Sequence, residues 1–486
     1  MVGEKEQTVR TRVNLGFVWI LAISHFAGFC MVMILSLFGT GCGSGGDSSV
    51  STPPPVSELP KPTVLRTLYR VVNGTDRMTS FGPDERNVYS VEGQLYYVPD
   101  SQGTRQNILN RMVNSDGTDH ADAVDALNGY SVDEVLGYPW STPSPRAVVQ
   151  MLEGFNSGTG DHAMLIPGED LEGYTVQPLP AYGYPRYGSS GEAMLSLTAG
   201  GVEVESNAVA GGVLWRWTWN GMEFVNNADY GREIQAAFYY PPTSEIYNPN
   251  EAGDYFSRAN PAIAHGSPVL RIENQGNTQI TRTVPLNWDA PSFGGDADHP
   301  VIWDQIVLGK DLTLNYANLG SVAKYTTHLV LPAATGGGIA APAIYLRANF
   351  TRFWTYDATS KTLQEVTAQV PNGCHSSESF FFHPAFGGTI ASDSTGMFAM
   401  GVYSVDVAHG GATTFIALQI YPCSGDGTAE SAGDTVVMNP VRGGGDGVNP
   451  NATFPAGEST YTVYLVTDAV QNVAAQMDRL YGMGAK

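Results

Sequence analysis

The sequence predicts an all-β protein in which a small threefold-repeat β domain is followed by a large β-sandwich ending in one helix. Three observations point there. One phrase recurs three times at a spacing of about 42 residues, later segments alternate apolar and polar residues between Gly, Pro, Asn and Asp, and helical periodicity is absent until the last twenty residues. A length of 486 residues suits two or three domains. With 42% hydrophobic and 15% charged residues, 56 Gly and 30 Pro, the chain can build cores, while collagen, coiled coil and wholesale disorder are excluded. Its 25 Lys and Arg face 47 Asp and Glu, a formal charge of -22 that repels phosphate backbones, so no nucleic acid partner is expected.

Residues 1–41 read as an export signal, because the apolar run Leu15 to Phe38 follows Arg10 and Arg12. That run of 24 residues also exceeds the roughly 20 needed to cross a bilayer, which leaves an uncleaved anchor as one alternative to a lipoprotein signal and an ordinary signal peptide as the other. Residues 42–63 are rich in Gly, Ser and Pro, with Pro53-Pro54-Pro55 stiffening what reads as a tether. The junction Leu37-Phe38-Gly39-Thr40-Gly41-Cys42 resembles the lipobox of bacterial lipoproteins, with Gly39 where an aliphatic residue is usual. The resemblance implies lipidation at Cys42 and attachment to the bacterial cell envelope, at the outer membrane or cell surface. Cys374 and Cys423 are the two cysteines of the folded region. In an oxidising compartment they would form a disulfide contributing roughly 4 kcal/mol on the chain-entropy model; two buried thiols are the alternative.

Residues 64–187 hold the repeats. Leu68-Tyr69-Arg70-Val71-Val72-Asn73, Leu109-Asn110-Arg111-Met112-Val113-Asn114 and Met151-Leu152-Glu153-Gly154-Phe155-Asn156 are followed by Asp76-Arg77, Asp119-His120 and Asp161-His162, then by Tyr89, Tyr130 and Tyr174. Short strands in three equal units predict a closed threefold assembly such as a trefoil-like barrel, which removes exposed edges. Asp119, His120, Asp161 and His162, set near tyrosines, are candidates for holding sugar hydroxyls; the alternative is that each Asp pins its own turn. The pattern resembles a three-copy module of secreted bacterial and fungal proteins whose function is unsettled.

Residues 188–486 form the large domain. Val213, Trp215, Trp217 and Trp219 alternate with mostly polar residues, which predicts three indoles on one strand face, and Asn220-Gly221 predicts a tight hairpin returning through Met222 to Asn226. Further strands are expected over Val269 to Glu273, Ile302 to Val307, Tyr325 to Val330, Phe398 to Tyr403, Thr414 to Ile420 and Thr460 to Val466. A helix is expected from about Ala469 to Leu480, with Asp468 and Gln471 as a capping box and Gly482 as its end. Gly211-Gly212-Val213-Leu214 with Trp217, Trp219-Asn220-Gly221 and Glu223-Phe224 resembles the first hairpin of galactose-mutarotase-like supersandwich domains. That resemblance implies a carbohydrate ligand and assigns no catalytic residue.

Chemistry is expected in two places. In the first, Asp229 or Glu233 is a candidate base, Tyr230 a proton donor and Arg232 a carboxylate or diol clamp, with Tyr240 and other aromatics nearby. In the second, Asp296 and Asp298 on a Gly-rich loop offer oxygens to a calcium ion, His299 is the candidate catalytic histidine, and Trp303 offers a stacking face. Aspartates capping a tight loop are the plainer outcome there. Cys374-His375 with Glu378 and His383 lacks metalloprotease spacing. These readings converge on an exported lipoprotein that binds polysaccharide or oligosaccharide and cleaves or isomerises it as a lyase, hydrolase or epimerase. A noncatalytic adhesion or scaffold protein is the opposing class.

Overall fold

A computed structural model describes residues 59–81, 88–144, 146, 148–186, 194–227, 233–239, 248–253, 266–370, 387–404 and 453–484, with the Met438 side chain, and the backbone alone over 381–383, 414–422 and 434–443. Cys42, Asp229, Tyr230, Arg232, Tyr240, Cys374 and Cys423 lie outside the described residues.

Each repeat builds one antiparallel three-stranded sheet. The recurring phrase is the middle strand: β1 (Thr63–Asn73) pairs with β2 (Asp76–Phe81) and β3 (Ser90–Pro99). In the second copy β4 (Leu109–Asn114) pairs with β5 (His120–Ala123) and β6 (Tyr130–Gly137). In the third, β7 (Val149–Asn156) pairs with β8 (Asp161–Leu165) and β9 (Thr175–Pro185). The second strands β2, β5 and β8 pack on one another, so the three sheets stand around a common axis. Equivalent residues fill the centre: Leu68, Leu109 and Met151 open the three phrases, and Leu95, Leu136 and Leu179 follow. The expected trefoil-like closure into one barrel does not form: the first and third copies are joined where Tyr96 and Tyr97 of β3 pair with Pro185 and Tyr184 of β9, while the second copy's β5-β4-β6 stands as a three-stranded sheet of its own, so the ladder is not continuous around the axis.

The large domain is two facing antiparallel sheets. One contains β10 (Met194–Ala199), β11 (Val202–Asn207), β12 (Val213–Trp219), β13 (Met222–Glu223) and β14 (Ile234–Tyr239), continued by Gly338–Arg347, Asp434–Gly443 and Thr414–Pro422. The other has nine strands in the order Val269–Gln275, Thr278–Thr283, Val307–Thr313, Val322–Leu331, Gly457–Asp468, Ala399–Ser404, Gly387–Ser392, Arg352–Asp357 and Thr362–Glu365. Leu214, Trp217, Phe224, Tyr325, Phe353 and Leu465 interlock between the sheets, as in a β-sandwich. The threefold unit is joined to the sandwich where Thr63 and Val64 of β1 pair with Ile302 and Val301.

The Asn220-Gly221 hairpin forms as expected, with φ of 49° and 78° giving the primed turn that two left-handed residues allow. Trp215 departs from the expectation. A β-bulge places Glu205 opposite Arg216 and Ser206 opposite Leu214, so Trp215 is the extra residue and the alternation changes phase. Trp217 and Trp219 join the main core, whereas Val213 and Trp215 turn to a separate cluster with Ala210 and Ala252. The expected strand over Ile302 to Val307 is instead a break between Val301–Ile302 and Val307–Thr313.

The helix runs from Val470 to Gly482 and buries Val470, Val473, Ala474, Met477 and Leu480 on the nine-stranded sheet. Its expected capping box is absent, since Asp468 Oδ1 accepts from the Ala469 N–H and from Asn472 Nδ2. Two strand glycines seat it: a Cβ on Gly401 would come within 2.4 Å of both Met477 Cε and Val473 Cγ1, and one on Gly388 within 2.5 Å of Met477 Sδ.

Candidate functional site

The repeated polar residues meet at one end of the threefold axis and close a cycle. His120 of the second copy brings Nδ1 to 3.5 Å from Asp76 of the first, and His162 of the third brings Nδ1 to 3.0 Å from Asp119 of the second. Arg77 of the first copy completes the circuit, its backbone N–H donating to Asp161 of the third at 2.9 Å. Each aspartate also accepts from the tyrosine of its own copy: Asp76 from Tyr89, Asp119 from Tyr130 and Asp161 from Tyr174. Asp and His therefore pin neighbouring copies to one another. Asp119, His120 and Asp161 are buried, while Asp76 and His162 stay partly exposed. Burial opposes ionisation of Asp119, but bonds from His162 and Tyr130 hold its carboxyl below the ordinary range. His162 is raised in turn: burial opposes, and Asp119 outweighs it.

One layer further along the axis the threefold pattern breaks. Arg70 donates to the Met164 carbonyl and Arg111 to the Thr79 carbonyl, each reaching the preceding copy in the cycle. The third copy has Glu153 at this position, accepting from the Asp122 N–H at 2.8 Å. Burial pushes Asp122 up to about 6, and burial followed by the Asp122 charge pushes Glu153 up to about 7.

The second expected cluster is partly assembled. Asp296 Oδ1 accepts from the backbone N–H groups of Asp298 and His299 and lies 2.7 Å from His299 Nδ1. His299 Nε2 lies 3.6 Å from Asp100, which Arg66 clasps at 2.8 Å. The Asp298 and Pro300 carbonyls accept from Thr67 and Leu65 of β1. Asp296 thus caps the loop, and the loop ties the two β bodies together. Among the described residues no group of three His, Cys, Asp or Glu is arranged to hold a metal ion. Trp303 requires a correction. Its indole is core, edge-on to Phe293 and donating from Nε1 to Asn287, with 5% exposure and no face for a ligand. Glu233 is likewise fully buried.

An open site lies beside Trp303. Asp304 and Gln305, in the break that replaced the expected strand, face Pro143, Ser144 and Arg146 from the β6–β7 connection and Val330, Leu331 and Pro332 from the sandwich. Together they line an open cleft of about 420 Å³. The lining is mixed: Pro143, Val330, Leu331 and Pro332 are apolar, and Ser144, Arg146, Asp304 and Gln305 carry a hydroxyl, a guanidinium, a carboxyl and an amide, the makeup of a small-ligand site. Burial holds the Asp304 carboxyl above its usual range. Asp304 falls inside the strand expected over Ile302 to Val307, and nothing local links it to Ser144 and Arg146, some 160 positions away.

No family model and no curated protein matches the chain. It is similar to solved structures described as a putative aldose 1-epimerase from Escherichia coli K12, with 9% identity, 57% of this chain and 99% of that one covered, and a TM-score of 0.31. It is also similar to a galactose 1-epimerase from Lactobacillus acidophilus NCFM (11% identity, 57% and 94% covered, TM-score 0.32). A third is an aldose epimerase homologue from C. elegans (10% identity, 57% and 98% covered, TM-score 0.31).

Proposed function

We propose that this is an exported, lipid-anchored envelope protein that binds polysaccharide or oligosaccharide in the cleft between its threefold unit and its sandwich, and that the cleft binds without cleaving. The observation that carries this reading is that Ser144, Arg146, Asp304 and Gln305 line one open concavity together with the apolar Pro143, Val330, Leu331 and Pro332. Hydrolysis by paired carboxylates needs two acids across the scissile bond, and the described lining supplies Asp304 alone. The Asp, His and Tyr ring, which links each copy to the next, supports a scaffold role for the threefold unit, holding one wall of the cleft in place. The anchor is Cys42, in the lipobox-like junction.

A glycan array followed by product analysis tests the reading. Retention of at least one glycan class is expected, with no new reducing ends, and with about tenfold weaker retention in Ser144→Trp, whose indole fills the cleft. No retention, or retention untouched by that substitution at unchanged Tm, contradicts it.

A further inference from the structure

In so acidic a chain, arginines are normally consumed by carboxylates. Eight of the described arginines sit against at least one, from Arg66 on Asp100 and Arg111 on Asp133 to Arg282 on Asp311 and Arg352 on Glu365. Arg146 has no such partner among the described residues, although it shares its cleft with Asp304. A guanidinium left unpaired on the wall of a concave site presents a planar fork of donors, which fits a carboxylate in two parallel hydrogen bonds. Beside it, the Ser144 hydroxyl and Gln305 amide can donate to or accept from hydroxyls, and Asp304 can accept from them.

We propose that the cleft selects acidic glycans, with Arg146 holding a sugar carboxylate while Ser144, Asp304 and Gln305 engage neighbouring hydroxyls. This inference rests on the glycan-binding reading and adds the substrate class to it. The overall charge of -22 argues that selectivity comes from this local contact, since the long-range field opposes an anionic polymer.

The test uses the full chain and a panel of matched pairs, each a uronic-acid oligosaccharide and the same oligosaccharide with its carboxyls methyl-esterified, titrated by calorimetry. At least one acidic member is expected to bind about tenfold or more tightly than its ester. Arg146→Gln is expected to remove that preference by weakening the acid about tenfold or more relative to its ester, while Arg479→Gln, an exposed arginine on the C-terminal helix, leaves the preference intact. Equal affinity for acid and ester, or a preference that survives Arg146→Gln, overturns the carboxylate assignment while the glycan-binding reading stands. If only neutral glycans of the wider array bind, the same conclusion follows. If no glycan of the panel or the array binds, both fall.

Discussion

Lys310 and Glu251 show how much of the sandwich rests on single side chains. Both are fully buried; Lys310 Nζ donates to Glu251 Oε2 at 3.0 Å and to the Gly212 carbonyl at 2.7 Å, and Glu251 Oε2 also accepts from the Ala236 N–H. Glu251 Oε1 is buried without a hydrogen bond. Burial, opposed by the Glu251 charge, holds the lysine below its usual range. Removing one partner strands the other, so Lys310→Met is expected to cost about 3–5 kcal/mol, whereas Lys310→Met with Glu251→Leu recovers most of it. Urea unfolding of the two variants checks this. Gly401 works through space alone. A methyl group there meets Val473 and Met477 at 2.4 Å, so Gly401→Ala is expected to destabilise by about 1–3 kcal/mol, read as a lower urea midpoint at unchanged m-value.

Among the elements, the seam between the second and third repeats is expected to be acid-stabilised. Burial pushes Asp122 up to about 6 and Glu153 up to about 7, above the ordinary carboxylate range. Raised values mean that the folded state binds protons more tightly, so their contribution is complete below about pH 4 and is lost as pH rises through 6 and 7. Arg111 beside Asp122 and His162 near both oppose the carboxyl shifts, Gln177 opposes that of Glu153, and Thr79 donates to Asp122. His162, raised by Asp119, weakens the fold in the same direction over the same range. Tm is therefore expected to fall between about pH 5 and pH 8, and Glu153→Gln is expected to remove a substantial part of that fall in a differential scanning series. A flat profile, or one that Glu153→Gln leaves alone, contradicts the assignment.

The same elements show what a sequence can reveal. The three copies, the Asn220-Gly221 turn and the apolar stripe of the last helix were legible because each is a local pattern. The ring was not, since the partner of Asp119 is His162, a full repeat away, and only the axial packing of β2, β5 and β8 brings them together. The bulge at Trp215 was hidden for a related reason: an extra residue is defined only against its partner strand. Trp303 looked available beside polar neighbours, but it lies where the chain breaks between two strands and turns its indole into the core.

At the scale of the whole molecule, the proposed function needs placement outside the cell and the cleft between the threefold unit and the sandwich. The Cys42→Ala variant is expected to move the protein from the membrane fraction to the soluble exported fraction, and retention in the membrane contradicts lipid anchoring at that residue. The location of the binding site is tested most directly by hydroxyl-radical footprinting of the full chain with and without a glycan that it retains. Protection of Pro143, Val330 and Pro332, apolar residues lining the cleft with Arg146 and Asp304, is the expected result. Unchanged reactivity at those three residues, with protection instead at Tyr130 and Phe155 beside the axial ring, would contradict it.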